Sequence, residues 1–240
     1  QIADLVSSFQ ETTQHLVVLP ESCLYFGGKD RDQLALIEPD ENEFIISSLA
    51  CLAEKYHIYL IAGTIPLPCA KPNKFTASSL VFSPQGQRLA EYQKMHLFDV
   101  FVEDNSGSYL ESKYTQAREK TVVTELEQLS LGQSVCYDIR FPELFRESAN
   151  KGADVITVPA AFTRVTGKAH WQVLLQARAI ENQVYIIAAA QEGIHANGRE
   201  TWGHSMIIDP WGNILSELAE GEGWVSAEFK KDRLIQVRKN

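Results

Sequence analysis

The sequence predicts an α/β domain in which two β-sheets pack together and carry helices on their outer faces. Segments with helical periodicity alternate with β-rich runs, and turn signatures separate several pairs of strand-like runs. No Pro-rich or Gly/Ser-rich linker interrupts the chain. A chain of 240 residues with 45% hydrophobic residues can bury one large core. We therefore expect residues 1–240 to form a single domain.

The first half of the chain predicts two helix-strand units followed by antiparallel strand pairs. Ile2, Val6 and Phe9 share one face of a first helix, which leads into an apolar strand. A second amphipathic helix ends near Tyr56 and precedes another strand. The predicted strands of this half are 16–19, 58–65, 79–83 paired with 88–93, and 122–125 paired with 129–136.

The second half alternates helices and strands before it ends in a β-rich stretch. A helix is predicted over 141–150, with Pro142 in its first turn, and a longer helix over 168–182. Pro210-Trp211-Gly212 is a turn signature between two strand-like runs. The predicted strands of this half are 154–158, 184–190, 204–209, 213–218 and 224–229.

Composition excludes several classes of function. The formal net charge of −9 opposes a phosphate-binding surface, so no nucleic acid is expected as a partner. No stretch contains the 18 or more apolar residues of a spanning helix, and the N-terminus lacks a secretory signal pattern. We expect a cytoplasmic protein with no membrane partner.

The cysteines and histidines indicate neither a disulfide framework nor a metal site. The four cysteines have no CxxC spacing, and the six histidines are scattered along the chain. No metal and no cofactor are expected. Cys23, Cys51 and Cys69 are interpreted as packing residues.

Cys136 stands out because of its place in the predicted fold. It ends an apolar strand and lies five residues before a helix, so its sulfur is expected on a strand-to-helix elbow. Backbone N–H groups and the positive helix end near such an elbow favour a thiolate. The alternative is a small buried hydrophobic residue.

Three motifs resemble the nitrilase superfamily of carbon–nitrogen hydrolases. They are VVLPES around Glu21, YQKMHLF around Lys94 and SVCYDIRFPELF around Cys136, and each key residue follows a predicted strand. The order Glu, Lys, Cys is the order of that family. The resemblance extends over GADVITVPAAF and WGHSMIIDPWGNIL, and within the superfamily it is strongest to the branch of deaminated-glutathione amidases and ω-amidases.

The resemblance implies a four-layer α-β-β-α sandwich of the nitrilase type, usually paired as a homodimer. Members of this family usually begin with an apolar strand ahead of the first helix, whereas this chain begins almost at that helix. An N-terminal strand is therefore expected to be missing from the sequence given.

The resemblance also implies catalysis by Glu21, Lys94 and Cys136. Cys136 attacks the amide carbon, Glu21 transfers the protons, and Lys94 with the backbone N–H of Tyr137 stabilises the oxyanion. Ammonia leaves first, and water activated by Glu21 then releases the acid from the thioester. Glu111 resembles a second glutamate that positions Lys94 or the substrate, with an exposed loop carboxylate as the alternative.

Several other residues are candidates for shaping the pocket or binding a substrate carboxylate. Tyr137 and Phe162 are candidates for the pocket wall, although aromatic residues more often serve the core. Arg forms a fork that matches a carboxylate, and each cation has a structural alternative. These cations are Arg140, Arg164, Lys168 and Arg178. A Cys/His mechanism through His96, His170 or His204 is not preferred, because their positions suit packing.

Four interpretations of function remain open. The preferred one is hydrolysis of a small-molecule amide, with deaminated glutathione as the substrate. An ω-amidase acting on 2-oxo acid amides is the nearest alternative within enzymes, and an N-carbamoyl amide hydrolase is a further one. A catalytically silent small-molecule binding module of the same fold is the alternative outside enzymes, and the presence of all three catalytic residue types argues against it.

Overall fold

A computed structural model describes Leu5 and residues 14–101 and 108–239. In chain order its strands are β1 (His15–Val18), β2 (Ile58–Pro68), β3 (Phe75–Phe82), β4 (Arg88–Gln93), β5 (Asp99–Phe101), β6 (Ser108–Leu110), β7 (Val123–Glu125), β8 (Ser130–Gln133), β9 (Val155–Thr157), β10 (Tyr185–Ala188), β11 (Glu192–Ile194), β12 (Glu200–Trp202), β13 (Ser205–Ile208) and β14 (Ile214–Leu218). The helices are α1 (Pro39–Tyr56), α2 (Pro142–Asn150), α3 (Arg164–Asn182) and α4 (Lys231–Lys239), and 3-10 turns cover Asp30–Ile37, Glu111–Lys113 and Cys136–Arg140.

Two sheets form the centre of the described structure. The first has the order β1-β2-β3-β4, with β1 and β2 parallel and the other neighbours antiparallel. The second has the order β14-β13-β10-β9-β8-β7, with a parallel centre of β10, β9 and β8. Two short hairpins, β5-β6 and β11-β12, lie outside these sheets. The prediction of two sheets is confirmed.

The alternation of side chains along the strands produces four layers. In β2, Leu60 and Ala62 belong to the apolar cluster that contains Leu49 of α1, whereas Ile61 faces the other way. Ile61 packs with Val155 and other residues of the second sheet, so this cluster joins the two sheets. A third cluster packs the second sheet against α2 and α3. It includes Leu144, Phe145, Trp171, Leu175, Ile186 and Met206. The α-β-β-α sandwich is therefore confirmed.

Capping residues end the two long helices abruptly. His57 after α1 and Gln183 after α3 both adopt the left-handed conformation, and each donates its backbone N–H to carbonyls of the last helical turn. Pro39 and Pro142 begin α1 and α2, where a missing N–H costs nothing. Among the described helices, none is long and apolar enough to cross a bilayer.

The predicted strand at 224–229 is wrong, because this stretch is irregular and leads into α4. Phe229 packs edge-on against Tyr185 at a centroid distance of 5.1 Å, whereas Trp224 is 47% exposed. Leu234 of α4 enters the cluster between the sheets. Tertiary contacts therefore override the β propensity of this segment. The predicted first helix, with Ile2, Val6 and Phe9, lies outside the described residues.

Candidate active site

Three of the predicted site residues meet where strands of both sheets end. Glu21 follows β1, Lys94 follows β4 and Cys136 follows β8. Together with Glu111 they line a cavity of about 100 Å³. The structure therefore brings together Glu21, Lys94, Cys136 and Glu111, although they are far apart in the sequence.

Hydrogen bonds hold both the side chain and the backbone of Glu21. The Ala161 N–H donates to Oε2 of Glu21 over 2.8 Å, and the Gln191 side-chain amide donates to its carbonyl oxygen over 3.1 Å. The next residue, Ser22, has a φ of 51° and donates its N–H to the Thr64 hydroxyl. A non-glycine residue in this region is strained, and such strain is typical of functional sites.

Gly63 allows the segment that carries Glu21 to approach β2. A Cβ atom at this position would lie 1.8 Å from the Pro20 carbonyl oxygen and 2.3 Å from that of Leu19. Both obstacles are backbone atoms, so no side-chain rotation relieves the clash. Only glycine permits this approach.

The Lys94 ammonium lies between two carboxylates. Its Nζ is 2.7 Å from Oε1 of Glu21, and 3.0 and 2.9 Å from the two oxygens of Glu111. The side chain is 2% exposed. Burial lowers the pKa of Lys94, but the charges of Glu111 and Glu21 outweigh it and hold that pKa well above its ordinary value. Lys94 is therefore a fixed cation.

Cys136 lies on the predicted elbow, in surroundings that disfavour a thiolate. Its φ is 48°, and its N–H donates to the Pro159 carbonyl over 2.9 Å. Burial and the neighbouring Glu21 carboxylate, which accepts a hydrogen bond from the thiol, raise its pKa well above the ordinary value. Lys94 lowers that pKa without reversing the direction. The direction is opposite to the one expected from the elbow, because desolvation outweighs the positive neighbours.

Glu111 is part of the buried cluster and not an exposed loop carboxylate. Its Oε2 accepts the backbone N–H of Phe98 over 2.7 Å in addition to its contacts with Lys94. Burial raises its pKa above the ordinary value, while Lys94 opposes the shift. Glu111 thus holds the ammonium from the side opposite Glu21.

The remaining predicted site residues divide into two groups. Tyr137 and Phe162 line the cavity. Arg140 does not line it; its guanidinium lies 5.8 Å from the Tyr137 ring centroid and 5.4 Å from that of Phe162, on a side where it also contacts His170. Arg140 therefore packs against the rings of Tyr137 and Phe162 without lining the cavity.

The other cations and histidines lie outside the cavity. Arg164 pairs with Glu192 and Glu200, and Arg178 donates to the Ile139 carbonyl. Lys168 is also absent from the cavity lining. None of the described histidines lines the cavity either, so no imidazole stands beside the Cys136 thiol within the described part of the chain.

The other three cysteines differ in their surroundings. Burial raises the pKa of Cys23 to about 12, and its thiol donates to the Thr64 carbonyl. Cys69 donates to backbone carbonyls of its own turn. Cys51 is exposed on α1, so its interpretation as a packing residue is wrong.

Sequence reasoning missed an ion pair at the cavity wall. Arg199 binds Asp30 through two hydrogen bonds of 2.7 and 2.8 Å, and its guanidinium lies 5.2 Å from the Tyr109 ring centroid. Lys29 and Tyr25 also line the cavity. These residues lie in segments that are polar and turn-like, and only the fold reveals that they meet.

A buried thiol beside a carboxylate and a fixed ammonium, at the joined ends of two packed sheets, defines a cysteine-dependent hydrolase. Residues 1–239 match the family described as carbon-nitrogen hydrolase, and the chain belongs to that family.

Relatives and solved structures agree with this assignment. The chain is 46% identical over 228 residues to a deaminated glutathione amidase of Synechocystis, covering 93% of this chain and 82% of that protein. It is 36% identical to the omega-amidase NIT3 of Saccharomyces cerevisiae, covering 93% and 77%. The crystal structure of Saccharomyces cerevisiae Nit3, a member of branch 10 of the nitrilase superfamily, superposes with a TM-score of 0.86 at 32% identity, covering 99% of this chain and 84% of that one.

Proposed function

We propose that this protein hydrolyses the amide C–N bond of a small carboxylic-acid amide through a thioester on Cys136 and releases the amine, or ammonia where the amide is unsubstituted. The observation that carries the proposal is the Lys94 ammonium, buried between Glu21 and Glu111 beside the Cys136 thiol in an open cavity. Charge of both signs is thus fixed beside a nucleophile in a water-poor site, where electrostatic stabilisation is strongest.

In the first half of the proposed reaction, the thiol proton passes to the Glu21 carboxylate as Sγ of Cys136 attacks the amide carbon. The raised pKa of Cys136 means that a base must remove this proton during the attack. Negative charge then develops on the amide oxygen, and the Lys94 ammonium and the Tyr137 N–H stabilise it. Glu21 returns the proton to the nitrogen, the C–N bond breaks, and the amine leaves, or ammonia where the amide is unsubstituted.

In the second half, Glu21 removes a proton from water as the water oxygen attacks the thioester carbon. The tetrahedral intermediate collapses, the C–S bond breaks, and the sulfur recovers the proton from Glu21. The products are the carboxylic acid and the original thiol. Glu111 transfers no proton in this scheme; it keeps Lys94 in position.

We propose deaminated glutathione as the substrate. The support is the name of the Synechocystis relative. The second candidate is an ω-amidase reaction on 2-oxo acid amides, which the name of the NIT3 relative favours. The two substrates differ in the group on the amide nitrogen, which is a peptide amine in deaminated glutathione and an unsubstituted NH₂ in 2-oxoglutaramate, so the relative activity on the two separates them.

The test is release of 2-oxoglutarate, the acid product that both substrates share, from deaminated glutathione and from 2-oxoglutaramate by the native protein and by Cys136→Ala, with Cys23→Ala as a matched control. We expect release by the native protein and by Cys23→Ala, and none above background by Cys136→Ala. The faster substrate identifies the specificity. A folded native protein that releases acid from neither substrate, nor from a panel of other small amides, is a binding module, and the proposed activity is wrong.

We also propose that the protein acts as a homodimer in the cytoplasm. An apolar patch on the outer face supports the dimer: Val173 and Ile180, seven residues apart on α3, are 67% and 53% exposed, and Trp211 beside them is 59% exposed. Light scattering tests the assembly. We expect a dimer for the native protein and for Phe44→Glu on α1, and a monomer for Ile180→Glu. A native monomer contradicts the proposal.

A further inference from the structure

Asp138 is a fully buried carboxylate that receives four hydrogen bonds. Its Oδ2 accepts the Val135 N–H over 2.8 Å and the Tyr92 hydroxyl over 2.7 Å. Its Oδ1 accepts the His96 N–H over 3.0 Å and lies 2.7 Å from Nδ1 of the same histidine. Every lone-pair direction of the carboxylate therefore has a partner.

These partners flank two of the proposed catalytic residues. Tyr92 and His96 stand two residues before and after Lys94, while Val135 precedes Cys136 directly. The Met95 N–H also donates to the Tyr92 hydroxyl over 3.3 Å, which extends the network along the lysine segment. One carboxylate thus joins the end of β4 to the Cys136 elbow.

The hydrogen bonds of Asp138 are suited to holding the site rigid. Burial of a carboxylate is unfavourable unless hydrogen bonds compensate for the lost water. An apolar side chain at the position of Asp138 would fill the space without this cost if the residue served packing alone. Asp138 joins two segments that belong to different sheets, and it does not line the cavity. Cys136 between these contacts has a positive φ, which surrounding contacts must maintain.

We propose that Asp138, through Tyr92 and His96, is a positioning residue that fixes the Cys136 sulfur relative to the Lys94 ammonium. This inference rests on the proposed function for its kinetic consequence. Asp138 transfers no proton and contacts no substrate; it sets the geometry in which Glu21 and Lys94 meet the thiol. Displacement of a reacting group by about 1 Å is enough to slow a reaction by about 10²-fold.

The gentlest test removes one hydroxyl from the network. Tyr92→Phe keeps the buried ring and loses the bond to Asp138, and Tyr185→Phe is the matched control because its hydroxyl donates to the Lys230 carbonyl away from the cavity. We expect kcat of Tyr92→Phe to fall about 10- to 100-fold with KM within about twofold, while kcat of Tyr185→Phe stays within about twofold. Urea unfolding of both variants measures how much each substitution lowers the free energy of unfolding.

Two results overturn the inference: a kcat for Tyr92→Phe within twofold of the native value, or equal losses of kcat in the two variants at matched stability. A second measurement keeps the test independent of the substrate. Iodoacetamide labels Cys136 and the exposed Cys51, and mass spectrometry gives the ratio of the two rates in one sample. We expect this ratio to fall at least about threefold in Tyr92→Phe and to stay constant in Tyr185→Phe.

The labelling ratio separates the two proposals. If the native protein hydrolyses no amide, the proposed function is wrong, but the ratio still reports whether the network positions the sulfur. If the native protein is active and neither kcat nor the ratio responds to Tyr92→Phe, only the positioning role is wrong. Asp138→Asn, where it folds, is expected to exceed the effect of Tyr92→Phe in both measurements, because it disturbs bonds to both segments.

Discussion

Two of the clusters in which carboxylates and cations meet, among the described residues, differ in how much water reaches the cation. In the cavity the Lys94 side chain is 2% exposed between Glu21 and Glu111. At the other cluster Asp154 is also buried, but its partners Lys231 and Arg238 are 50% and 34% exposed. Both clusters form short ion pairs, with distances from 2.6 to 3.0 Å.

The difference shows that similar ion pairs serve different purposes. Solvent screens the cations of the Asp154 cluster, so these pairs contribute modestly and attach α4 to the second sheet. Lys94 has no such screening, and its charge acts at full strength on the thiol and on a developing oxyanion. A cation that is fully buried beside a nucleophile indicates chemistry more strongly than the same cation at a surface.

Removing the cation from each cluster tests this contrast most strongly. Lys94→Met leaves Glu21 and Glu111 buried side by side without a counter-charge. We expect no measurable turnover and a loss of about 3–5 kcal/mol in the free energy of unfolding. Lys231→Met, the matched control, is expected to cost less than about 1 kcal/mol and to keep native turnover. Urea unfolding and release of 2-oxoglutarate measure both, and equal losses of stability contradict the contrast.

Glu21→Gln separates proton transfer from thiol reactivity. We expect amide turnover to fall about 10²- to 10⁴-fold, because no general base remains. The Glu21 carboxylate is one of the causes that raise the pKa of Cys136, so its removal is expected to lower that pKa. The rate of Cys136 alkylation by iodoacetamide should then begin to increase at a lower pH than it does in the native protein. A profile that moves to higher pH contradicts the assigned role of the carboxylate.

Glu111→Gln keeps the shape of the second partner of Lys94 and removes its charge. We expect kcat to fall about 10- to 100-fold, since Lys94 is then held firmly from one side only. Burial raises the pKa of Glu111 in the folded state, so its contribution to stability is full at acid pH and decreases as pH rises through the folded pKa. The difference in the free energy of unfolding between the native protein and Glu111→Gln should therefore be largest, in favour of the native protein, at acid pH. Urea unfolding between pH 4 and 8 measures this difference.

The sequence predicts the two sheets from local patterns, whereas the grouping of Glu21, Lys94 and Cys136 is what the resemblance to the nitrilase superfamily implies. Each of the three residues follows a predicted strand. The protonation state of Cys136 was not predictable in this way, since it depends on burial and on a carboxylate 115 positions earlier in the chain. Electrostatic shifts depend on the assembled site and not on the motif.

The Arg199–Asp30 ion pair at the cavity wall and the stretch before α4 also could not be predicted from local patterns. Arg199 and Asp30 are separated by most of the chain, and neither segment has a pattern that indicates its partner. The stretch 224–229 has the alternation of a strand, but the structure leaves it irregular, with Phe229 packed against Tyr185 and Trp224 exposed. Local periodicity identifies elements with a repeating face, and single long-range contacts leave no such repeat.

The smallest expected effect concerns the screened cluster. Asp154→Asn removes the charge that pairs with Lys231 and Arg238, while its side-chain oxygen still accepts one hydrogen bond. We expect a loss of about 1–2 kcal/mol in the free energy of unfolding, reduced from the value for fully buried pairs because the cations are partly solvated. Salt at 1 M should shrink the difference, since it screens exposed charges. Turnover per folded molecule is expected to stay native, and a loss of kcat would show that the docking of α4 controls the catalytic site.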